Sequence, residues 1–149
     1  MAKQALQKNK PALHFFIDAN VFTDTKDLVS ANHKTAIEFL EVATSHRVSL
    51  YLASVSIVFF AHTVRKFQTK AEVQESINAI LQHCHVLDVT KATIQAANQA
   101  EQRDFEDAVQ YFTALHQGNI THIVTGDRRF PHLDIPVISP AQAIDIIQL

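Results

Sequence analysis

The chain is 149 residues long, 47% hydrophobic, and carries a formal net charge of -2 at neutral pH. That length suits one domain, residues 1–149, with room for a sizeable core, and the charge exerts no overall pull on a polyanion, so any nucleic-acid contact must come from local cationic patches. One cysteine, Cys84, excludes an internal disulfide and a CxxC zinc site, and two glycines, Gly118 and Gly126, leave no Gly-rich phosphate loop.

Residues 1–11 read as a polar leader. Lysines 3, 8 and 10 precede a short apolar run with no small-residue cleavage site after it, and no stretch approaches the roughly 20 apolar residues that span a bilayer. A soluble, cytoplasmic protein without membrane contact is expected. Residues 12–17, "ALHFFI", have the length and composition of a buried strand, which Asp18 ends. Residues 33–47 place Ala36, Ile37, Phe39, Leu40 and Ala43 at helical spacing. Residues 48–53, "VSLYLA", read as a second strand, and residues 54–67 as an apolar helix capped by Ser54 or Ser56. Thr69 and Glu72 have the spacing of a capping box for a helix through Gln82. "HCH" at 83–85 would put His83 and His85 on the opposite side of a strand from Cys84, and reads as a helix-to-strand junction rather than a metal site. "HVLDV", residues 85–89, is a third strand. Thr90 opens a helix through Gln102, and Asp104 opens another that Gly118 stops in a left-handed C-terminal position. Residues 120–125 form a fourth strand, residues 136–138 a fifth after the turn-like "GDRRFPHLD", and Ser139 with Pro140 starts the last helix. Strands alternating with helices predict a three-layer α/β/α sandwich around a mainly parallel sheet.

Two of these strands run into acid, the first into Asp18 and the fourth into Gly126 and Asp127. Open parallel sheets form their sites beyond the carboxyl ends of the strands, so both acids emerge on one edge if both strands are central. The helix that feeds the fourth strand begins on that edge too, and brings Asp104 and Asp107, which neighbour each other on its surface. Acids at a helix start have a simpler explanation in capping and the helix dipole; the number that converge here asks for more. Crowded carboxylates raise one another's pKa. A hard cation such as Mg²⁺ or Mn²⁺ relieves the crowding with oxygen ligands, and a pair of such ions can activate water against a phosphodiester. Asp18, Asp107 and Asp127 are the first candidates for metal ligation and catalysis, with Asp104 next. Asn20 could hold the Asp18 carboxylate, and Thr125 could orient Asp127 or a phosphate. Asp24 and Glu106 are expected in solvent, and Phe105 against its own helix. Arg128 and Arg129, then Arg65 with Lys66 and Lys70, and Arg103, are the cations available to an RNA backbone.

Together, "FFIDANVFTD", "DFEDAVQYFTAL" and "IVTGDRRF" ahead of "IPVISPAQAI" resemble the PIN-domain family, in its branch of small bacterial single-domain proteins similar to VapC-type toxins. The resemblance runs from Phe15 to the C-terminus. It implies the α/β/α sandwich, Mg²⁺- or Mn²⁺-dependent hydrolysis of RNA, and metal-ligand roles for Asp18, for Asp107 with Asp104 adjacent, and for Asp127. It also implies a homodimer and a small antitoxin protein whose tail occupies the acidic groove. One position departs: where the family has Glu or Asn in the helix after the second strand, the register here gives Phe59, whose ring cannot ligate a cation. That leaves two alternatives, a nuclease in which Asp104 compensates and a PIN-like module that binds RNA or a protein partner without cutting. A receiver domain also gathers aspartates at strand ends, but it wants a lysine after a late strand, where "PVISP" has none.

Overall fold

The computed structural model describes residues 10–101 and 104–149; most of the polar leader, the expected helix end at Gln102, and Arg103 lie outside the described residues. Strands β1 (His14–Ile17), β2 (Ser49–Ala53), β3 (His85–Leu87), β4 (His122–Val124) and β5 (Val137–Ile138) form one sheet in the order β3-β2-β1-β4-β5. Every pairing is parallel. This order puts β1 at the centre and differs from the 2-1-3-4-5 order of receiver folds. A central parallel strand is covered on both faces and therefore needs consecutive apolar residues. Phe15, Phe16 and Ile17 meet that need and are fully buried.

Strand alternation sends Phe15, Ile17, Leu50, Leu52 and Val124 to one core, and Phe16, Tyr51, Ala53 and Ile123 to the other. The first core is closed by α1 (Ala19–Asp24), α2 (His33–Ser45), α3 (Ser54–Val64), α4 (Lys70–His83) and α7 (Pro140–Gln148), through residues such as Phe22, Phe39, Phe60, Ile80 and Ile144. On the opposite face, α6 (Phe105–Gln117) lays Tyr111 and Ala114 on the sheet. Outside it, α5 (Lys91–Gln99) packs Ala97 against Ala108 and Val109. Each large apolar side chain so buried contributes about 1.5–3 kcal/mol, so the Phe15–Phe16 pair ties the sheet to both helical layers.

The ends of the helices follow local chemistry. Asp104 caps α6, and Gly118 closes it at φ 87°, a left-handed conformation that glycine adopts without a Cβ penalty. Ser139 and Gln142 complete a reciprocal capping box on α7, with Pro140 in its first turn. Thr69 accepts the Glu72 N–H at 3.2 Å, but the Glu72 carboxylate takes the Thr69 hydroxyl rather than a backbone amide. Two expectations need correction, and one helix is additional to them. Helix α1 was not read from the sequence, because its six residues offer one apolar pair, Val21 and Phe22, and no repeat. Neither Ser54 nor Ser56 caps α3, whose N-cap is Ala53 with no side-chain bond. Helix α5 ends at Gln99 rather than running on to Gln102. The "HCH" junction is as read: α4 ends at His83, β3 starts at His85, and burial pushes the Cys84 thiol up to about 12.

Candidate active site

Strands β1 and β4 are neighbours, yet the chain continues outward from them in opposite directions, and such a switch point leaves a crevice beyond the carboxyl ends. Ile17 pairs with Val124, so the residues that follow, Asp18 and Thr125, stand side by side, and the Asp18 N–H donates to the Val124 carbonyl at 3.0 Å. The Thr125 hydroxyl donates to Asp18 Oδ2 at 2.7 Å and accepts the Asp127 N–H at 3.0 Å. One hydroxyl thus sets two acids. Asp127 in turn accepts the Arg129 N–H at 2.9 Å, which fixes the turn that carries it.

Asp18 is 3% exposed. Burial raises its pKa, while hydrogen bonds from Thr125, Gln110 and the Asn20 amide pull it back, and the Asp127 charge adds to the rise. Asp107 lies in the first turn of α6 at the same edge. Its carboxyl is pushed up to about 7, first by burial and then by the charges of Asp18, Asp104, Asp127 and Glu106. The sheet and helix therefore bring Asp18, Asp104, Asp107 and Asp127 into one electrostatic neighbourhood. Asp104 is exposed and spends Oδ1 on the Asp107 N–H at 3.1 Å, the ordinary N-cap bond.

Other residues sit differently from their expected places. Asn20 bonds Asp18 through its backbone N–H at 3.4 Å, and its side-chain Oδ1 is buried without a partner. Asp24 is not in open solvent: the Ser30 hydroxyl donates to it at 2.9 Å, and burial raises its pKa. It stands close under the Asp127 turn, since a Cβ on Gly126 would lie 3.6 Å from Asp24 Oδ2 and 3.1 Å from Asn32 Nδ2. Glu106 is exposed as expected, and Phe105 is half exposed at the start of α6. Arg128 and Arg129 flank the acids, with Arg129 Nε 3.9 Å from Asp127 Oδ1. Arg65 and Lys66 do not join them: they follow the far end of α3, whose 11 residues carry the chain away from this edge. At 1.5 Å per residue that is about 16 Å. Lys70 is exposed on α4.

Sequence reading missed Gln110 and the inward turn of Ser56. Gln110 Oε1 accepts the Ala19 N–H at 3.1 Å and the Ser56 hydroxyl at 3.0 Å. The available signal was a lone amide between Val109 and Tyr111, one turn after Asp107. Phe59 is half-buried and lies one turn beyond Ser56 on α3, without any ligating group.

The donor types suit a hard divalent cation: buried or crowded carboxylates in mutual repulsion, and an orphaned buried amide oxygen on Asn20. Among the described residues, no group of three or more His, Cys, Asp or Glu side chains stands close enough together to hold a metal ion. No helix there is long and apolar enough to cross a membrane.

No family model matches the chain. Among curated proteins, it is 24% identical to Ribonuclease VapC1 of Aquifex aeolicus (strain VF5) over 132 residues, 83% of this chain and 88% of that protein. Its fold is similar to that of VapC20 of Mycobacterium tuberculosis, described as a Sarcin-Ricin loop cleaving toxin, with TM-score 0.65 and 15% identity over 78% of this chain and 92% of that one. It is also similar to VapBC2 of Rickettsia felis, solved on a DNA fragment of its promoter, with TM-score 0.64 and 12% identity over 85% and 98% of the two chains. FitAB bound to a DNA fragment gives TM-score 0.60 and 15% identity over 85% and 94%.

Proposed function

We propose that this chain, which has the PIN-domain fold and is similar to VapC-type toxins, is a divalent-metal-dependent endoribonuclease and the toxin of a toxin–antitoxin pair. The observation that carries this reading is the crowding of acids at one sheet edge, where the Asp107 carboxyl is pushed up to about 7 by burial and then by the charges of Asp18, Asp104, Asp127 and Glu106. A fold gains nothing from such repulsion unless something cationic occupies it.

In this reading Asp18, Asp107 and Asp127 hold Mg²⁺ or Mn²⁺, with Asp104 adjacent. The bound ion supplies an activated water and neutralises charge on the scissile phosphate. The rest falls to the chain. Thr125 favours the ionised form of Asp18 by donating to its Oδ2, and the Thr125 hydroxyl oxygen also anchors the Asp127 turn. With its carboxyl pushed up to about 7, Asp107 would release part of a proton when a cation is bound near neutral pH. Arg128 and Arg129, both exposed at this edge, meet the RNA backbone without reading its sequence. Arg65 and Lys66, at the other end of α3, would meet only a longer RNA.

The antitoxin is a small protein that covers the acidic edge, and the toxin works in the cytoplasm as a homodimer. The likeness to VapBC2 and FitAB supports the antitoxin partner. So do the exposed apolar side chains of Leu28 and Val29, in the loop after α1, and of Val58 on α3, a helix that packs against α1.

The test is a Mn²⁺ titration followed by heat of binding on wild type and Asp18→Asn, with both then assayed on a mixed RNA pool. Saturable binding and cleavage, both lost in the variant, are expected; wild type that binds no Mn²⁺ would overturn the reading. A second reading is a PIN-fold module that binds RNA or a protein partner without cutting. It is favoured by Phe59, and Mn²⁺ binding without cleavage of any RNA in the pool would select it.

A further inference from the structure

Gln110 is 2% exposed, in a mostly apolar helix face that also buries Thr113. A buried amide costs free energy unless its groups are bonded. Here Oε1 takes two protons, from the Ala19 N–H at 3.1 Å and the Ser56 hydroxyl at 3.0 Å. Ala19 opens α1 and directly follows Asp18, Ser56 belongs to α3, and Gln110 sits on α6 three residues after Asp107. One acceptor oxygen therefore joins the three helices around the acidic edge. Its Nε2 remains as a donor, and the amide favours the ionised form of Asp18. Being buried, it has no route to substrate, so any effect on the chemistry must pass through the groups it holds.

We propose that Gln110 is a positioning residue: fixed by Ser56, it clamps the backbone that follows Asp18 and so aims the Asp18 carboxylate at the acidic edge. This rests on the hydrolase reading above. A merely space-filling residue at this point needs no acceptor, and methionine would fill the same volume. The Ser56 bond has the same logic. A serine that does not cap its own helix donates its hydroxyl hydrogen to lock the amide oxygen, and the amide so held favours the ionised form of Asp18.

Gln110→Met keeps length and volume and deletes both bonds. Compared with wild type, Mn²⁺ binding by calorimetry is expected to weaken about ten-fold, the size usual for groups that orient metal ligands. At saturating Mn²⁺ the kcat on RNA falls while KM holds. The Ala19 amide exchanges faster with solvent, while the Ile123 amide, bonded to Pro136 in the sheet, keeps its rate. A folded Gln110→Met with unchanged Mn²⁺ affinity and kcat, and only a lower Tm, would reduce Gln110 to core packing and overturn the proposal. Should that variant not fold, Ser56→Ala removes one bond and frees the amide, and a severalfold weaker Mn²⁺ affinity is expected; no change overturns it. If wild type neither binds Mn²⁺ nor cleaves, the hydrolase reading fails, and amide exchange still decides on Gln110: faster exchange at Ala19 in the variant supports the clamp, unchanged exchange removes it.

Discussion

Thr125 donates its hydroxyl proton to Asp18 Oδ2 at 2.7 Å across 107 residues of sequence, and accepts the Asp127 N–H with the same oxygen. Two acids at the ends of adjacent strands thus share one orienting atom. Thr125→Val keeps the shape and removes it, leaving a buried carboxylate short of a donor and an amide short of an acceptor. Mn²⁺ affinity should fall about 10–100-fold, with a stability cost of about 1–3 kcal/mol. Thr125→Ser should restore most of both, which calorimetry and thermal melts on the three proteins would check.

Asp107 gives the metal-free protein a pH dependence of definite sign. Its folded pKa, about 7, lies above the ordinary 3.8, so the native state holds the proton more tightly. The stability this group contributes is complete below the unfolded value, is lost as pH rises through about 7, and is level beyond that. Solvent screening discounts the loss to about 1–2 kcal/mol. Asp107→Asn should melt a few degrees higher than wild type at pH 8 in chelator, match it near pH 4, and cleave no RNA. Equal melting curves at both pH values would remove the repulsion from the account.

Phe59 stands one turn beyond Ser56 on α3, and Phe59→Glu tests what its ring costs the site. Adding a carboxylate there should tighten Mn²⁺ binding about ten-fold while lowering Tm in chelator through added repulsion. An unchanged Mn²⁺ affinity would mean that α3 does not face the cation.

The two cationic pairs should separate in salt. In an Asp107→Asn background, which binds without cutting, Arg128→Ala should lower the slope of log affinity against log salt by about 1. Arg65→Ala should leave the slope on a short RNA unchanged, since α3 carries it to the other end of the molecule. A fall in slope for both would extend the RNA path along α3.

How much of this was legible beforehand depends on the range of the interaction. The strands and long helices carry their own signals: continuous apolar runs in a doubly covered sheet, Thr69, Asp104 and Ser139 at helix starts, Gly118 at a stop. The meeting of Asp18 with Asp127 followed from strand ends alone. Helix α1 was hidden because one turn has no period to detect, and Asp18 looked like the end of a strand when it also begins a helix. Gln110 and Ser56 were hidden for another reason. Their partners lie 91 and 54 residues apart in sequence, and nothing local distinguishes a buried amide with a partner from a surface one. The placement of Arg65 and Lys66 needed the direction of α3, which runs away from the edge where it starts.

Cys84, half-buried where α4 meets β3, is the chain's one thiol, and desolvation pushes its pKa up to about 12. At neutral pH it presents almost no thiolate, the species that alkylating reagents capture. The native protein therefore carries a dormant chemical clock. Iodoacetamide should add a single mass increment far more slowly than to a free thiol, and a partner or cation that tightens the fold around the α4–β3 junction should slow that clock further without any engineered probe.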